Sequence, residues 1–252
     1  MQCACRGRDV VWLVAERRSG GCAARVSSCE MRVAALIFDL DGTLSDPVVG
    51  IGRSLNYALE AFGYRSLAAC EVSRYVGPPL DRAFRQIVPD ASHDTVLALV
   101  AKYRERYSDL GYAENTLYPG ITDALAAISS DGVQMGVCTS KRREFAERIL
   151  ELFNLRQHFL FVDGGDVGVG KADQLRALLD QGTVGPASTM IGDRAVDIEA
   201  ARANGLAAVG VLWGHGTKAE LLRAAPDRLL ESPVELAALY GGKQGNGTAP
   251  SR

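Results

Sequence analysis

After Pro119-Gly120 the chain alternates between two kinds of segment, and that alternation leaves few folds open. A helical stripe through Ile121, Leu125 and Ile128 leads to a strand at Val133 to Cys138. A helix carrying Phe145, Ile149, Leu152 and Phe153 follows, then a strand at Phe159 to Val162 and a helix from Lys171 to Gln181. A further strand at Thr189 to Ile191, a helix from Asp193 ended by Asn204-Gly205, and a strand at Leu206 to Leu212 extend the pattern. Strands this short, separated by helices, predict right-handed βαβ units and a parallel sheet, with ligands at the carboxyl ends of the strands.

The front of the chain adds one strand and an interruption. Val33 to Phe38 is a nearly continuous apolar run, which favours a strand buried on both faces over a helix of only six residues. From Pro47 to about Tyr118 the periodicity is helical, with stripes through Ile51, Leu55, Ala58, Leu59 and Phe62 and through Val96, Leu99, Val100, Tyr103 and Tyr107. Arg82 to Val88 reads as a further helix, and no strand is expected in this block. Residues 31–46 and 119–240 thus form one α/β core, a Rossmann-like three-layer parallel sheet. Residues 47–118 form an all-helical cap inserted after the first strand, beside the ligand edge.

Composition removes several functions. A formal net charge of −2 over 252 residues gives no general attraction for nucleic acid or an anionic membrane. No apolar run approaches the roughly 18 residues of a membrane span. Of six cysteines, Cys3, Cys5, Cys22 and Cys29 lie in the first thirty residues without paired C-x-x-C spacing, so neither a disulfide framework nor zinc is expected. The expected location is cytoplasmic, as a monomer or homodimer. Residues 1–30 have little periodicity and read as an extension, disordered or not translated, because Met31 opens a far more protein-like segment. The Gly-rich residues 241–252 read as a disordered tail.

Four features emerge at the same sheet edge. In "DLDGT", Asp39 and Asp41 point to one side of extended backbone while Leu40 packs away. Thr139-Ser140-Lys141 follows "VQMGVC", and its hydroxyls and amides suit phosphate oxygens. Lys171 follows a glycine-rich loop, and "IGDRAVD" sets Asp193 and Asp197 one turn apart at a helix start. Singly, each has a plain alternative: a turn, an N-cap, a solvated charge and an ordinary helix beginning. Together they reinforce one another, because carboxylates gathered without a counter-ion repel, and a hard divalent cation bound by oxygens complements them.

In this order, "DLDGT", "TS", the isolated lysine and "GDRAVD" resemble the haloacid dehalogenase superfamily of phosphohydrolases over nearly all of residues 31–240. The inserted helices, "YVGPPLDRAF" and "GVLWGHG" are similar to its phosphoglycolate phosphatase-like group. The resemblance implies Asp39 as nucleophile and Asp41 as proton donor and acceptor. It implies Mg²⁺ on Asp39, the Asp41 carbonyl and Asp193, and Lys171 as the cation that holds Asp39. Thr139 and Ser140 then bind phosphate, Thr43 steadies the first loop, and Gly77 lies in a loop closing over the site. Asp197 is left among three roles: metal binding through water, orientation of Lys171, or helix capping, with a place just outside the metal ligands favoured. Lys141 is open between substrate contact and a solvated helix charge, and Arg53, Arg74 and Arg82 are candidate contacts for a substrate carboxylate.

The implied activity is hydrolysis of a small phosphate ester, phosphoglycolate first, with a 5′-nucleotidase, a sugar-phosphate phosphatase or a phosphomutase as alternatives on the same fold. A phospho-acceptor signalling domain uses similar groups, but in it the lysine comes last, whereas Lys171 precedes the final acidic pair.

Overall fold

The computed structural model describes residues 34–165 and 169–239. Strand β1 (Ala35–Phe38) and a two-residue strand β2 (Ser45–Asp46) lead into helix α1 (Val48–Ala61), short α2 (Ala69–Val72), α3 (Leu80–Ile87) and α4 (His93–Arg106). A π-helical turn, Tyr107–Gly111, and β3 (Thr116–Leu117) close this block. There follow α5 (Ile121–Ser130), β4 (Gln134–Thr139), α6 (Arg143–Leu152), β5 (Phe161–Gly164), α7 (Lys171–Asp180), β6 (Thr189–Gly192), α8 (Ala195–Ala203) and β7 (Ala207–Val211). Helix α9 (Lys218–Ala224), β8 (Arg228–Leu230) and a 3₁₀ turn, Pro233–Leu239, complete the described chain.

Six strands form one parallel sheet in the order β5-β4-β1-β6-β7-β8. Strand β1 is central because its residues are apolar on both sides. Leu36 and Phe38 join a core with Leu125, Ile149 and Val162, while Ala35 and Ile37 join a second core with Leu175, Ile198 and Leu221. Successive side chains of a strand point to opposite faces, so this run needs helices on both. The chain runs outward through β4 and β5 and returns past β1 to β6, so the order reverses beside β1. The crevice at such a reversal is where ligands bind in sheets of this kind.

The helices between β2 and β3 have an apolar centre of their own: Leu55, Leu59, Phe84, Val96, Leu99 and Tyr103 pack together. Their stripes are those of the sequence, although Phe62 falls just beyond α1 and is 43% exposed. The expected absence of strand in 47–118 is corrected by β3, which pairs antiparallel with β2 at the two points where the chain enters and leaves the block. Strands of two residues cannot show alternation, so periodicity misses them. Helix α8 begins at Ala195 and leaves Asp193 in the bend before it. Strand β8 and helix α9 were not read beforehand, because "RLL" and "KAELLRA" are too short to carry a period. The readings of residues 1–30 and 241–252 lie outside the described residues, as do residues 166–168 of the loop before Lys171. Among the described residues no helix is long and apolar enough to cross a membrane.

Phe38 is fully buried and meets Phe159 edge-on, with ring centroids 6.1 Å apart. Phe38→Ala should cost about 3–5 kcal/mol through lost transfer energy and a residual cavity. The expected result is a lower denaturant midpoint with an unchanged slope.

Candidate active site

The parallel register decides which side chains meet. Phe38 lies level with Val137 on β4 and Ile191 on β6, so the next residues on all three strands emerge together. Asp39 is tied to β6 by its N–H, which donates to the Ile191 carbonyl at 2.9 Å. Its Oδ1 accepts from the Leu40 N–H at 2.8 Å, and its Oδ2 lies 3.0 Å from Lys171 Nζ. Lys171 opens α7 and is 3% exposed; its ammonium also pairs with Asp197. Asp197 turns its other oxygen to the Arg194 N–H at 3.0 Å, so it both caps α8 and holds the lysine.

Asp193 occupies a cradle with no room for side chains around it. A Cβ on Gly42 would stand 2.2 Å from its Oδ2, and one on Gly216 would stand 1.8 Å from its carbonyl oxygen. Gly42 also has φ +84°, so glycine is required there twice over. The Asp193 Oδ2 accepts the His215 N–H at 2.8 Å, while its Oδ1 is buried with no hydrogen-bond partner among the described residues. One oxygen each of Asp39, Asp193 and Asp197 falls within 4.8 Å of the others. Three carboxylates face a single ammonium, and the unpartnered Asp193 oxygen is where a hard cation with oxygen ligands fits.

The electrostatics agree with a missing positive charge. Burial, with the Asp197 and Asp39 charges adding, pushes the Asp193 carboxyl up to about 8. Asp197 is raised by burial against the pull of Lys171. Lys171 resists its own burial because Asp197 and Asp39 hold it charged, and its net shift is upward.

Asp41 turns another way. Its Oδ2 lies 2.7 Å from Lys141 Nζ, and its Oδ1 is buried without a partner among the described residues. Burial raises its carboxyl and Lys141 pulls it back, with a net upward shift. Thr139 is buried and its Oγ1 accepts the Lys141 N–H at 3.3 Å, while Ser140 is exposed. The Thr43 Oγ1 is buried and has no partner among the described residues, and the Thr43 carbonyl accepts from Trp213 Nε1 at 3.0 Å. Gly77, with φ +100°, sits over Arg194, whose guanidinium donates to the Val76 carbonyl at 2.9 Å.

The structure therefore gathers Asp39, Asp41, Lys171, Asp193, Asp197 and Thr139 at one edge. Arg53 instead pairs with Glu114 and is largely exposed, and Arg74 and Arg82 are exposed. Sequence reasoning passed over Arg194, although it stands between the two acids of "GDRAVD". It also passed over Tyr107, whose apolar stripe position hides a hydroxyl bonded to Lys141 at 2.7 Å. Lys141 itself is no solvated charge, with 8% of its side chain exposed.

The model of haloacid dehalogenase-like hydrolases matches residues 36–211. The chain belongs to that family. It is 35% identical over 215 residues to the 5′-nucleotidase of Pseudomonas aeruginosa, covering 83% of this chain and 95% of that one. It is 32% identical over 214 residues to a phosphoglycolate phosphatase of Synechococcus elongatus, covering 80% and 94%. A solved haloacid dehalogenase-like hydrolase of Streptococcus pneumoniae superposes with a TM-score of 0.77 at 30% identity, over 83% of this chain and 99% of that one. These family relatives span nearly the whole of the described core and helical block.

Because the Asp193 carboxyl is raised, the folded chain keeps a proton there that the unfolded chain loses above about pH 4. Its contribution to stability therefore falls as pH rises from about 4 to about 8. Asp193→Asn should remove that loss and raise the metal-free melting temperature at pH 8, by about 2–4 °C per kcal/mol released. A divalent cation such as Mg²⁺ should raise the wild-type melting temperature more at pH 8 than at pH 6, and leave the variant unmoved. Scanning fluorimetry at both pH values checks this.

Proposed function

We propose that the protein is a Mg²⁺-dependent phosphomonoester hydrolase that works through an aspartyl-phosphate on Asp39. The observation that carries this is a carboxylate held in position by a buried lysine, with a second carboxyl two residues away offering a free oxygen. A carboxylate nucleophile splits one difficult hydrolysis into two displacements.

Asp39 attacks phosphorus, and the bond to the ester oxygen breaks. The Asp41 carboxyl gives its proton to that departing oxygen; ionised, it then takes a proton from the water that opens the aspartyl-phosphate. Thr139 donates its hydroxyl hydrogen to the phosphoryl group, with Ser140 beside it in the chain. Lys171 keeps Asp39 aimed and offsets charge as anion meets anion. Asp39, Asp193 and the Asp41 carbonyl would hold Mg²⁺, which would supply the remaining positive charge that transfer of a phosphoryl group calls for. Asp197 fixes Lys171 and the turn before α8, and so acts on the metal site through its neighbours.

Residues 47–118 act as a cap over residues 31–46 and 119–240, hinged where β2 and β3 pair, with Gly77 in the loop that closes on the site. The substrate is a small phosphorylated metabolite in the cytoplasm. Phosphoglycolate is the first candidate; likeness to the Pseudomonas 5′-nucleotidase supports a nucleoside 5′-monophosphate as the second.

Phosphate release from a panel containing 2-phosphoglycolate, adenosine 5′-monophosphate and hexose phosphates, with Mg²⁺, tests the reading. Wild type should release phosphate from at least one ester, and Asp39→Asn should lose about 10⁴-fold or more of kcat. Activity surviving in that variant would refute the nucleophile. An isomerised phosphate ester in place of free phosphate would make the protein a mutase.

A further inference from the structure

We infer that Lys141 of the core and Tyr107 of the helical block form a clamp that orients Asp41, so that the proton donor is aimed only while the helical block sits against the sheet. This rests on the hydrolase reading above and adds two positioning residues to it.

The clamp is visible in five contacts. Lys141 Nζ lies 2.7 Å from Asp41 Oδ2 and donates to Tyr107 Oη at 2.7 Å. Its ammonium also stands 4.9 Å from the centroid of the Tyr107 ring, a cation–π distance. Tyr107 is 4% exposed; it stacks on Tyr103 at 5.3 Å and 13°, and meets Phe145 of α6 edge-on at 5.2 Å and 84°. Tyr103 belongs to α4 and Phe145 to α6, so Tyr107 is gripped by both parts of the molecule at once.

Such an arrangement is selective about which carboxyl oxygen it leaves free. Lys141 occupies Oδ2, and Oδ1 remains buried with no partner among the described residues. A buried oxygen without a partner costs free energy unless something else meets it in the working complex, and the departing ester oxygen is the group that Asp41 serves. Lys141 has neighbours on two sides and little contact with solvent, so it holds a protein carboxyl rather than standing open for a substrate anion. The tyrosine matters because a lysine alone is a flexible point charge on a long stem. Its hydroxyl and ring remove that freedom, and both move with the helical block.

The test uses leaving groups. An alkyl oxygen needs a proton as it departs, whereas p-nitrophenolate leaves without one, and kcat/KM reports the first displacement alone. For the faster of 2-phosphoglycolate and adenosine 5′-monophosphate, Lys141→Met should lower kcat/KM by about 100-fold, the lower end of what a positioned acid supplies. For p-nitrophenyl phosphate the loss should be far smaller. Tyr107→Phe keeps the ring packing and removes only the hydroxyl; it should show the same preference with a smaller loss, and Lys141→Arg should recover much of the activity. Should Lys141→Met fail to fold, the Tyr107→Phe and Lys141→Arg comparison decides alone. Equal losses on both kinds of ester, a change confined to KM, or no loss in any variant would overturn the clamp while leaving the hydrolase intact. A wild type inert on every ester would instead refute the hydrolase reading and the clamp with it.

Discussion

The ammonium of Lys171, shut between Asp39 and Asp197, fixes the relative positions of three chain segments far apart in sequence. Such a contact is poor evidence of stability, because removing three charges from water costs about as much as their attraction returns. Its effect is geometric. Asp39 ends β1, Lys171 begins α7 and Asp197 lies in the first turn of α8, so the ion triad locks the sheet edge to the helices that cover it. Losing the lysine would leave two carboxylates facing each other in a dry site. The glycines around Asp193 follow from the same need, since only bare backbone lets a fourth segment approach so closely.

That triad leaves the site two positive charges short. Asp39, Asp193 and Asp197 carry three potential negative charges against one lysine, while Asp41 has Lys141 to itself. A proton on Asp193 would offset one of these charges and a divalent cation both, and the two would compete for the same carboxylate. A substrate phosphate brings further negative charge and therefore favours the cation. Metal affinity, substrate affinity and the ionisation of Asp193 are thus linked, and none should be independent of the others.

Much of this was legible in the sequence because it depends on short-range rules. Ala35 to Phe38 is apolar at every position, and only a strand covered on both faces uses such a run. The acids after it, the Thr-Ser pair and the lysine follow from the parallel sheet, which sends every strand end to the same side. What stayed hidden depends on distance in three dimensions. Tyr107 reads as one more apolar stripe residue, and nothing local reveals that its hydroxyl meets Lys141, thirty-four positions away. Arg194 reads as filler between two aspartates until its hydrogen bond to Val76, 118 positions back, is seen. The paired strands β2 and β3 escape because two residues cannot display a period.

Both of these long-range contacts join the helical block to residues beside the reactive groups. Arg194 lies between Asp193 and Asp197 and is itself held by Glu220 at 2.9 Å, so the loop at Gly77 is fastened to the segment that carries the metal-ligand candidates. Lys141 lies two residues after Thr139 and touches Asp41, so the turn at Tyr107 is fastened to the segment that carries the phosphate and proton-transfer candidates. If the block swings on β2 and β3 as proposed, opening would break both fastenings. An open site would then retain the Lys171 triad, which lies within the sheet core, but lose the aim of Asp41. Closure in such a molecule excludes water and at the same time completes the set of groups the reaction needs. On that proposal, fit beneath the helical block, more than affinity for the phosphate alone, would set which esters are turned over.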